Sequence, residues 1–486
     1  MDVQNSIETL LKWSSDQGIA IDSRLSLRAN ENANGLGVFS RKHEIPQETI
    51  ASKWHGYLQS LPQNVEVPFL WKFKIQKEKA NENRDAEDED RAEALEWLNG
   101  TEVDAILRKA SENGQTLDED LVAYYNETVE PLLLAQGSRY VSKPCLEGFL
   151  RCYTLVSSRA FLMDAYHGLS MVPISDAFNH VQDNHVHIES DFGVCPECGS
   201  FSECPHDRQD CQAETSEPGS GTSDPVNDCY EMVANTQIPA FSEVYNTYGE
   251  HLTNAQLLTR YGFILDANDN DKLSWTYLNV FKALGVNPNT TGESILRQIP
   301  LVLGDHRILD SLADSQVLAT EYIKGDDSLW VDSDGGVSIG LWLTLTLIAA
   351  HQAGRPSAVL DTGFEANERL KTMLELLNVL ALVSGSESAN MNPMFVQMFL
   401  GPIDTDYLHC VNGQCELLIR LCDQRKANLG KAGVEAETLG DLLDVLEDSR
   451  KRTRQAALLV LGERSILDSC QASWKDFQRV LWAYVK

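Results

Sequence analysis

The sequence predicts an α+β protein in which a β-rich half, residues 1–270, precedes an all-α region, residues 271–486. Three observations carry that reading. Residues 24–60 are rich in glycine, valine, isoleucine and aromatic side chains, punctuated by Gly35, Gly37 and Pro46, the pattern of a hairpin or small sheet. Residues 61–150 turn acidic and take on a long helical period, which marks a helical insertion. Beyond about residue 275, apolar residues recur at three- and four-residue spacing between glycine and proline breaks.

In chain order, residues 3–17 place Ile7, Leu10, Leu11 and Trp13 along one helical face, and Gly18 supplies a stop. Gly35-Leu36-Gly37 is expected in a tight turn between strands, where glycine allows positive φ and close approach of a ligand; for the triplet taken alone an ordinary hairpin turn is the favoured reading. It is no dinucleotide fingerprint, because GxGxxG and a βαβ unit are both missing. Inside the helical insertion, Asp85-Ala-Glu-Asp-Glu-Asp90 reads as a solvated loop, or else as a docking patch for a basic partner. Leu98-Asn-Gly-Thr101-Glu102 separates two helical segments. A helix then runs through Arg159, and an apolar run leads past Pro173 to Asp176-Ala-Phe-Asn179-His180. A Cys-rich insertion over 186–228 includes a Ser/Gly/Pro/Thr tract, 213–225, with the composition of a flexible surface loop. Strand signal resumes at 230–235 and 243–248, and a short helix at 257–261 stops at Gly262. Four further helices are predicted at 341–351, 367–382, 415–429 and 439–461.

At 486 residues the chain is long enough for two or three domains, and its balance of apolar and charged residues is that of a soluble globular protein. A net charge of −32 argues against nucleic acid and anionic membrane as partners and favours a basic protein. The first residues have neither a basic nor an apolar signal region, and the apolar run 341–350 is too short for a bilayer. Cytoplasmic or nuclear residence and a monomeric state are expected. Cys145, Cys152, Cys229, Cys422 and Cys470, outside any metal-like spacing, are expected to be reduced and mostly buried.

The polar residues at strand ends are the candidate site. Asn179 has both a donor and an acceptor for an amino-acid ligand, and His180 can bond an adenine or a backbone group, although an Asn-His pair also suits a plain turn. Asp176 is either a cap or a carboxylate facing a cationic substrate. Arg159 is either a core ion pair or a bidentate holder of a carboxylate. Tyr248 ends a strand whose inward positions are Val244, Asn246 and Tyr248, and Gly249 would let the chain turn and expose the phenol. Tyr261-Gly262-Phe263 repeats the Tyr-Gly pattern.

These blocks occur in the order Gly-x-Gly, Ser158-Arg-Ala-Phe161, Asp-x-x-Asn-His and Tyr245-Asn-Thr-Tyr-Gly, closing on Tyr-Gly-Phe. In this combination the chain resembles the SET-domain protein methyltransferases, in the branch of the Rubisco large-subunit methyltransferase and the fungal ribosomal lysine methyltransferases. Leu98–Thr101 resembles that branch's helical insertion, and Gly462-Glu-Arg464-Ser-Ile-Leu467 its C-terminal substrate-binding helices. The resemblance implies S-adenosylmethionine as cofactor, held by Gly35, Leu36, Gly37, Arg159, Asn179 and His180. It implies Tyr248 as catalytic tyrosine, with Tyr261 and Asp176 lining a lysine channel. The implied reaction is methyl transfer to a lysine of a basic protein, a ribosomal protein first and a histone second. Transfer to histidine, and a non-catalytic binding module, are the alternatives. Lysine titrates near ~10.4, so a dry channel must favour its neutral form. Leu36 stands where the branch often has arginine, and Asn246-Thr247 where many members have apolar residues or serine.

Cys195-Pro-Glu-Cys198-Gly, followed by Cys204-Pro-His206, sets four metal-ligating side chains within one short loop. This reads as a structural zinc knuckle, with Cys211 as an alternative fourth ligand; free thiols in a loop are the plain alternative. Cys410 and Cys415 near His409 read as packing in a helical hairpin.

Overall fold

The structure is a computed structural model. It describes residues 3–16, 19, 25–30, 35–40, 54–73, 84–111, 113–135, 145–190, 194–200, 204, 206, 229–303, 317–319, 329–354, 364–384, 405–431, 434 and 436–485. The tract 213–225, Gly18 and Cys211 lie outside them. Among the described residues, no helix is long and apolar enough to cross a membrane. The chain forms two compact units, each discontinuous in sequence. One comprises Met1–Leu70, Asp118–Leu252 and Arg260–Phe263; the other comprises Trp71–Leu117, Thr253–Thr259 and Ile264–Lys486.

In the first unit, the helix Val3–Asp16 buries Ile7, Leu10 and Trp13, the face its spacing predicts. It packs against the helix His55–Ser60 and the antiparallel hairpin of β1 (Leu25–Asn30) and β2 (Gly35–Ser40). Gly35-Leu36-Gly37 is therefore not a turn. It forms the first half of β2, with Gly35 opposite Asn30 and Gly37 opposite Arg28. A long helix, Leu146–Arg159, is capped by Cys145, whose sulfur accepts the Gly148 N–H at 3.4 Å. It runs directly into a second hairpin, β3 (Ala160–Leu162) and β4 (Leu169–Met171). β5 (Asn179–His180) pairs in parallel with β8 (Tyr245–Asn246), and β6 (Val186–Ser190) pairs antiparallel with β7 (Tyr230–Ala234). The strand foreseen over 243–248 is thus much shorter, yet its alternation holds: Val244 and Asn246 are buried. One core joins Ile7, Leu10, Leu27, Tyr57, Phe178 and Val244.

The second unit is helical, with a four-stranded sheet that the sequence reading did not foresee. Its order is β10 (Leu318–Ala319), β12 (Val337–Ser338), β11 (Leu329–Asp332), β9 (Lys272–Trp275). Strands of two to four residues are too short for a period-two pattern to stand out. The acidic run 85–90 is not a solvated loop. It lies within the helix Arg84–Trp97, where Asp90 is only 2% exposed and accepts the Thr453 N–H at 3.1 Å and the Arg452 N–H at 3.3 Å. A buried carboxylate at the start of the helix Lys451–Val485 satisfies otherwise orphaned N–H groups and faces the positive end of the dipole. The stretch 439–461, read as one helix, is two: Ala436–Val445 ends, and the Lys451–Val485 helix begins after a turn. Cys410 and Cys415 are buried on a single helix, Thr405–Ala427, rather than in a hairpin, and burial pushes the Cys410 thiol up to about 12. Of the five scattered cysteines, Cys422 and Cys470 are buried, Cys229 is half-buried, and Cys145 and Cys152 are exposed, contrary to expectation.

Candidate active site

The first unit gathers the predicted polar residues around the parallel β5–β8 pair. The chain enters through Ile174, a buried β-branched residue at φ 73°, a conformation that stores roughly 1–3 kcal/mol of strain. A single helical turn, Ser175–Ala177, follows, and β2 lies against it. That contact brings the strand bearing Gly35–Gly37 to the edge of the site.

Asp176 is sealed inside. Its Oδ2 accepts the Tyr57 O–H at 2.8 Å and Arg159 Nη1 at 3.4 Å, and Nη1 also donates to the Asp176 carbonyl at 2.8 Å. Burial raises the Asp176 carboxyl, and the Arg159 charge opposes that rise most strongly, followed by the Tyr57 hydrogen bond. Tyr57 is raised by burial and by the neighbouring carboxylate, so it donates its proton and keeps it. The Asp176 side chain is only 3% exposed, and its Oδ2 is engaged by both Tyr57 and Arg159. It clamps Arg159 and Tyr57 across 119 residues of chain. Among the described residues, Arg159 is bonded through Nη1, and its buried Nε has no hydrogen-bond partner. An orphaned guanidinium donor in a protein interior is costly unless a ligand meets it.

Asn179 donates its amide to Glu243 Oε1 at 2.6 Å, and Glu243 Oε2 accepts the Tyr245 O–H at 3.0 Å. His180 is buried, and burial lowers its affinity for a proton. It is therefore neutral, and Nδ1 accepts the backbone N–H of Tyr248 at 3.0 Å. Its ring stacks on Tyr248 with centroids 5.3 Å apart.

The Tyr248 phenol is enclosed rather than exposed, and it donates to the Phe178 carbonyl at 3.2 Å. Burial pushes it up to about 12, and the charges of Arg159, Asp176 and Glu243 bear on it as well. A phenol so placed is a fixed dipole and donor at neutral pH, not a base. Tyr261 lies 4.6 Å from Tyr248 by ring centroids, and Phe263 lies 6.2 Å from Tyr248 and 6.4 Å from Tyr261. Gly262 holds the last two apart at φ 80°, and a Cβ there would sit 2.8 Å from the Glu66 carbonyl oxygen. The three rings pack on one another beside the Phe178 carbonyl that Tyr248 bonds.

Arg159, Asp176, Asn179, His180, Tyr248 and Tyr261 thus meet in one place, with Gly35–Gly37 reaching it through β2. Tyr57 and Glu243 were missed. Tyr57 sits on a separate helix and is linked to Asp176 only by folding; Glu243 opens the strand segment in plain sight, but nothing in its spacing points at Asn179. Phe263 closes the Tyr-Gly-Phe pattern. The zinc candidates Cys195, Cys198, Cys204 and His206 form a separate cluster, with ligand atoms all within 4.8 Å of one another.

No family model matches the chain. It is 30% identical to ribosomal lysine N-methyltransferase 3 of Saccharomyces cerevisiae over 26% of this chain and 30% of that one. It is 23% identical to an uncharacterized protein of Schizosaccharomyces pombe over 65% of this chain and 55% of that one. The chain thus spans between about a third and just over half the length of these relatives. Among solved structures, it resembles the SET domain of LSMT bound to lysine and AdoHcy, with TM-score 0.55 and 14% identity over 99% of this chain and 93% of that one. It also resembles Rubisco LSMT bound to AdoMet, with TM-score 0.53 and 14% identity over 98% and 93%. The chain has the SET-domain fold of these structures, and its similarity to a lysine methyltransferase sequence agrees with the resemblance read from its motifs.

Proposed function

We propose that the chain transfers a methyl group from S-adenosylmethionine to a lysine side chain of a basic protein. The observation that carries this reading is the Tyr248–Tyr261–Phe263 aromatic group together with a half-buried Arg159 whose Nε has no hydrogen-bond partner among the described residues, in the fold of proteins solved with AdoMet or with lysine. When bound, S-adenosylmethionine supplies an electrophilic methyl on a sulfonium. The residues present fit that group: Arg159 Nε offers an unused donor for its carboxylate, and Asn179, fixed by Glu243, and the backbone around Gly35–Gly37 offer polar groups for the rest.

The chain's own part is positioning. The attacking nitrogen must be neutral, so the lysine would have to lose its proton to water before its lone pair could take the methyl, the sulfide being the leaving group. Apolar walls and a nearby positive charge both favour the neutral amine. Tyr248 has no base role at neutral pH, because its own proton is held too tightly. Its O–H, the Phe178 carbonyl and the aromatic faces orient donor and acceptor on one line. His180 fixes the Tyr248 backbone, and the Asp176–Arg159–Tyr57 clamp fixes the Ser175–Ala177 turn.

The acidic balance, −32, suits a basic target, and the similarity to a protein named as a ribosomal lysine methyltransferase supports a ribosomal protein as first choice. Residence in the cytoplasm or nucleus goes with that target. The test uses the full chain, tritiated S-adenosylmethionine and an extract of cells lacking the protein, with mass spectrometry of the labelled peptide. Label on a lysine is expected. Calorimetry showing no binding of the methyl donor or its product would sink the proposal, and label on a histidine would overturn the lysine assignment.

A further inference from the structure

We infer that Cys195, Cys198, Cys204 and His206 bind one structural zinc ion, which pins the Gly199 turn onto the hairpin that leaves Arg159. The cluster has the right size. His206 Nδ1 is 3.8 Å from the Cys195 sulfur and 3.6 Å from the Cys204 sulfur. Tetrahedral zinc with ordinary bond lengths separates a sulfur and a nitrogen ligand by about 3.5 Å and two sulfurs by about 3.8 Å. The four ligand atoms already lie within 4.8 Å of one another, so small side-chain movements close the tetrahedron. The backbone is pre-formed. Cys195 N–H donates to the Ser200 carbonyl, and Gly199 N–H donates to the Cys195 carbonyl, both at 2.9 Å, which turns Cys195 and Cys198 to one side.

The position of that turn says what the ion does. Gly199, at φ 72°, presses on the Ala165–Tyr166 peptide so closely that a Cβ would meet the Ala165 oxygen at 3.0 Å. Ala165 and Tyr166 lie at the tip of β3–β4, which begins immediately after Arg159. Asp164 braces this tip by accepting the Tyr166 N–H at 2.9 Å and the His167 N–H at 2.7 Å. Strands of three residues form a ribbon too small to be stable alone, and a metal clip is a common way to hold such a piece. Four protein ligands leave no open coordination position, so the ion is structural. Soft thiolates with one imidazole favour zinc over magnesium or calcium. Each thiol gives up its proton on binding, and three thiolates with a neutral imidazole leave the site with one net negative charge.

The experiment measures metal in the full chain, purified without added metal, by elemental mass spectrometry, with no methyl donor present. About one zinc per chain is expected, falling below about a tenth in Cys198→Ser and in His206→Ala and unchanged in Cys211→Ser. Chelation is expected to open proteolytic cleavage between Asp164 and Gly168 while the helical second unit stays intact. If the variants do not fold, cobalt substituted into the wild-type chain keeps the question decidable: a tetrahedral thiolate spectrum supports the site, and an octahedral one overturns it. Less than about a tenth of an equivalent of zinc, even after incubation with the ion, overturns it too, as does loss of zinc in Cys211→Ser. None of these readouts depends on methyl transfer, so failure here and failure of the proposed activity are separable.

Discussion

Tyr248→Phe separates positioning from folding. The substitution deletes one hydroxyl and keeps the ring that stacks on His180 and Tyr261. The lost bond, Tyr248 O–H to the Phe178 carbonyl, is long at 3.2 Å and neutral. A net loss of roughly 0.5–1 kcal/mol follows, or a fall of about one degree in Tm for a chain this long. No charge changes, because burial holds the phenol protonated up to about 12. Affinity for S-adenosylmethionine should therefore change little. Methyl transfer should fall by about a hundredfold, equivalent to about 2.7 kcal/mol of lost orientation. Calorimetry gives the first quantity, and single-turnover transfer of tritium to the extract gives the second. A well-folded variant that transfers methyl within about threefold of wild type would refute the role given to this hydroxyl.

Arg159→Met leaves Asp176 buried without its cation and should cost about 3–5 kcal/mol in urea denaturation, while the double variant Arg159→Met/Asp176→Leu should recover much of it; equal losses would show that the pair does not act as a unit. Gly262→Ala combines a positive φ with a clash against the Glu66 carbonyl and should destabilise by more than about 1 kcal/mol, read by thermal unfolding. His180 has a folded pKa below its unfolded value of 6.5, so the folded state resists protonation; its contribution to stability is present above 6.5 and lost as pH falls through that window, which His180→Asn should flatten. Glu463 is the opposite case. Burial raises its carboxyl from 4.5 to about 8, so the folded state takes up a proton that the unfolded chain releases, and stability falls as pH rises between those values. Glu463→Gln should remove that slope in a pH series of melting temperatures.

Much of the candidate site was legible because its residues crowd into short segments. Asp176, Asn179 and His180 lie on five consecutive residues, and Tyr248 opens the run that ends at Tyr-Gly-Phe. The directions of the side chains were less legible. Asp176 reads as an open carboxylate in sequence, yet the fold closes Tyr57 over it. Tyr248 reads as an exposed phenol after a strand, yet Phe178 caps it. The acidic run 85–90 reads as solvent-facing by charge alone, but Asp90 meets a helix start 362 residues away.

The sequence by itself determined the long helical periods, the amphipathic first helix, the order of the site segments and the gathering of Cys195, Cys198, Cys204 and His206 in one short stretch. These depend on near neighbours along the chain, where propensity and spacing act directly. Only the tertiary structure decided which charge is sealed and which stays open, that Gly35–Gly37 lie in a strand, and that Tyr57 belongs to the site. Those outcomes depend on desolvation and on partners distant in sequence, and neither quantity exists until the chain has folded back on itself.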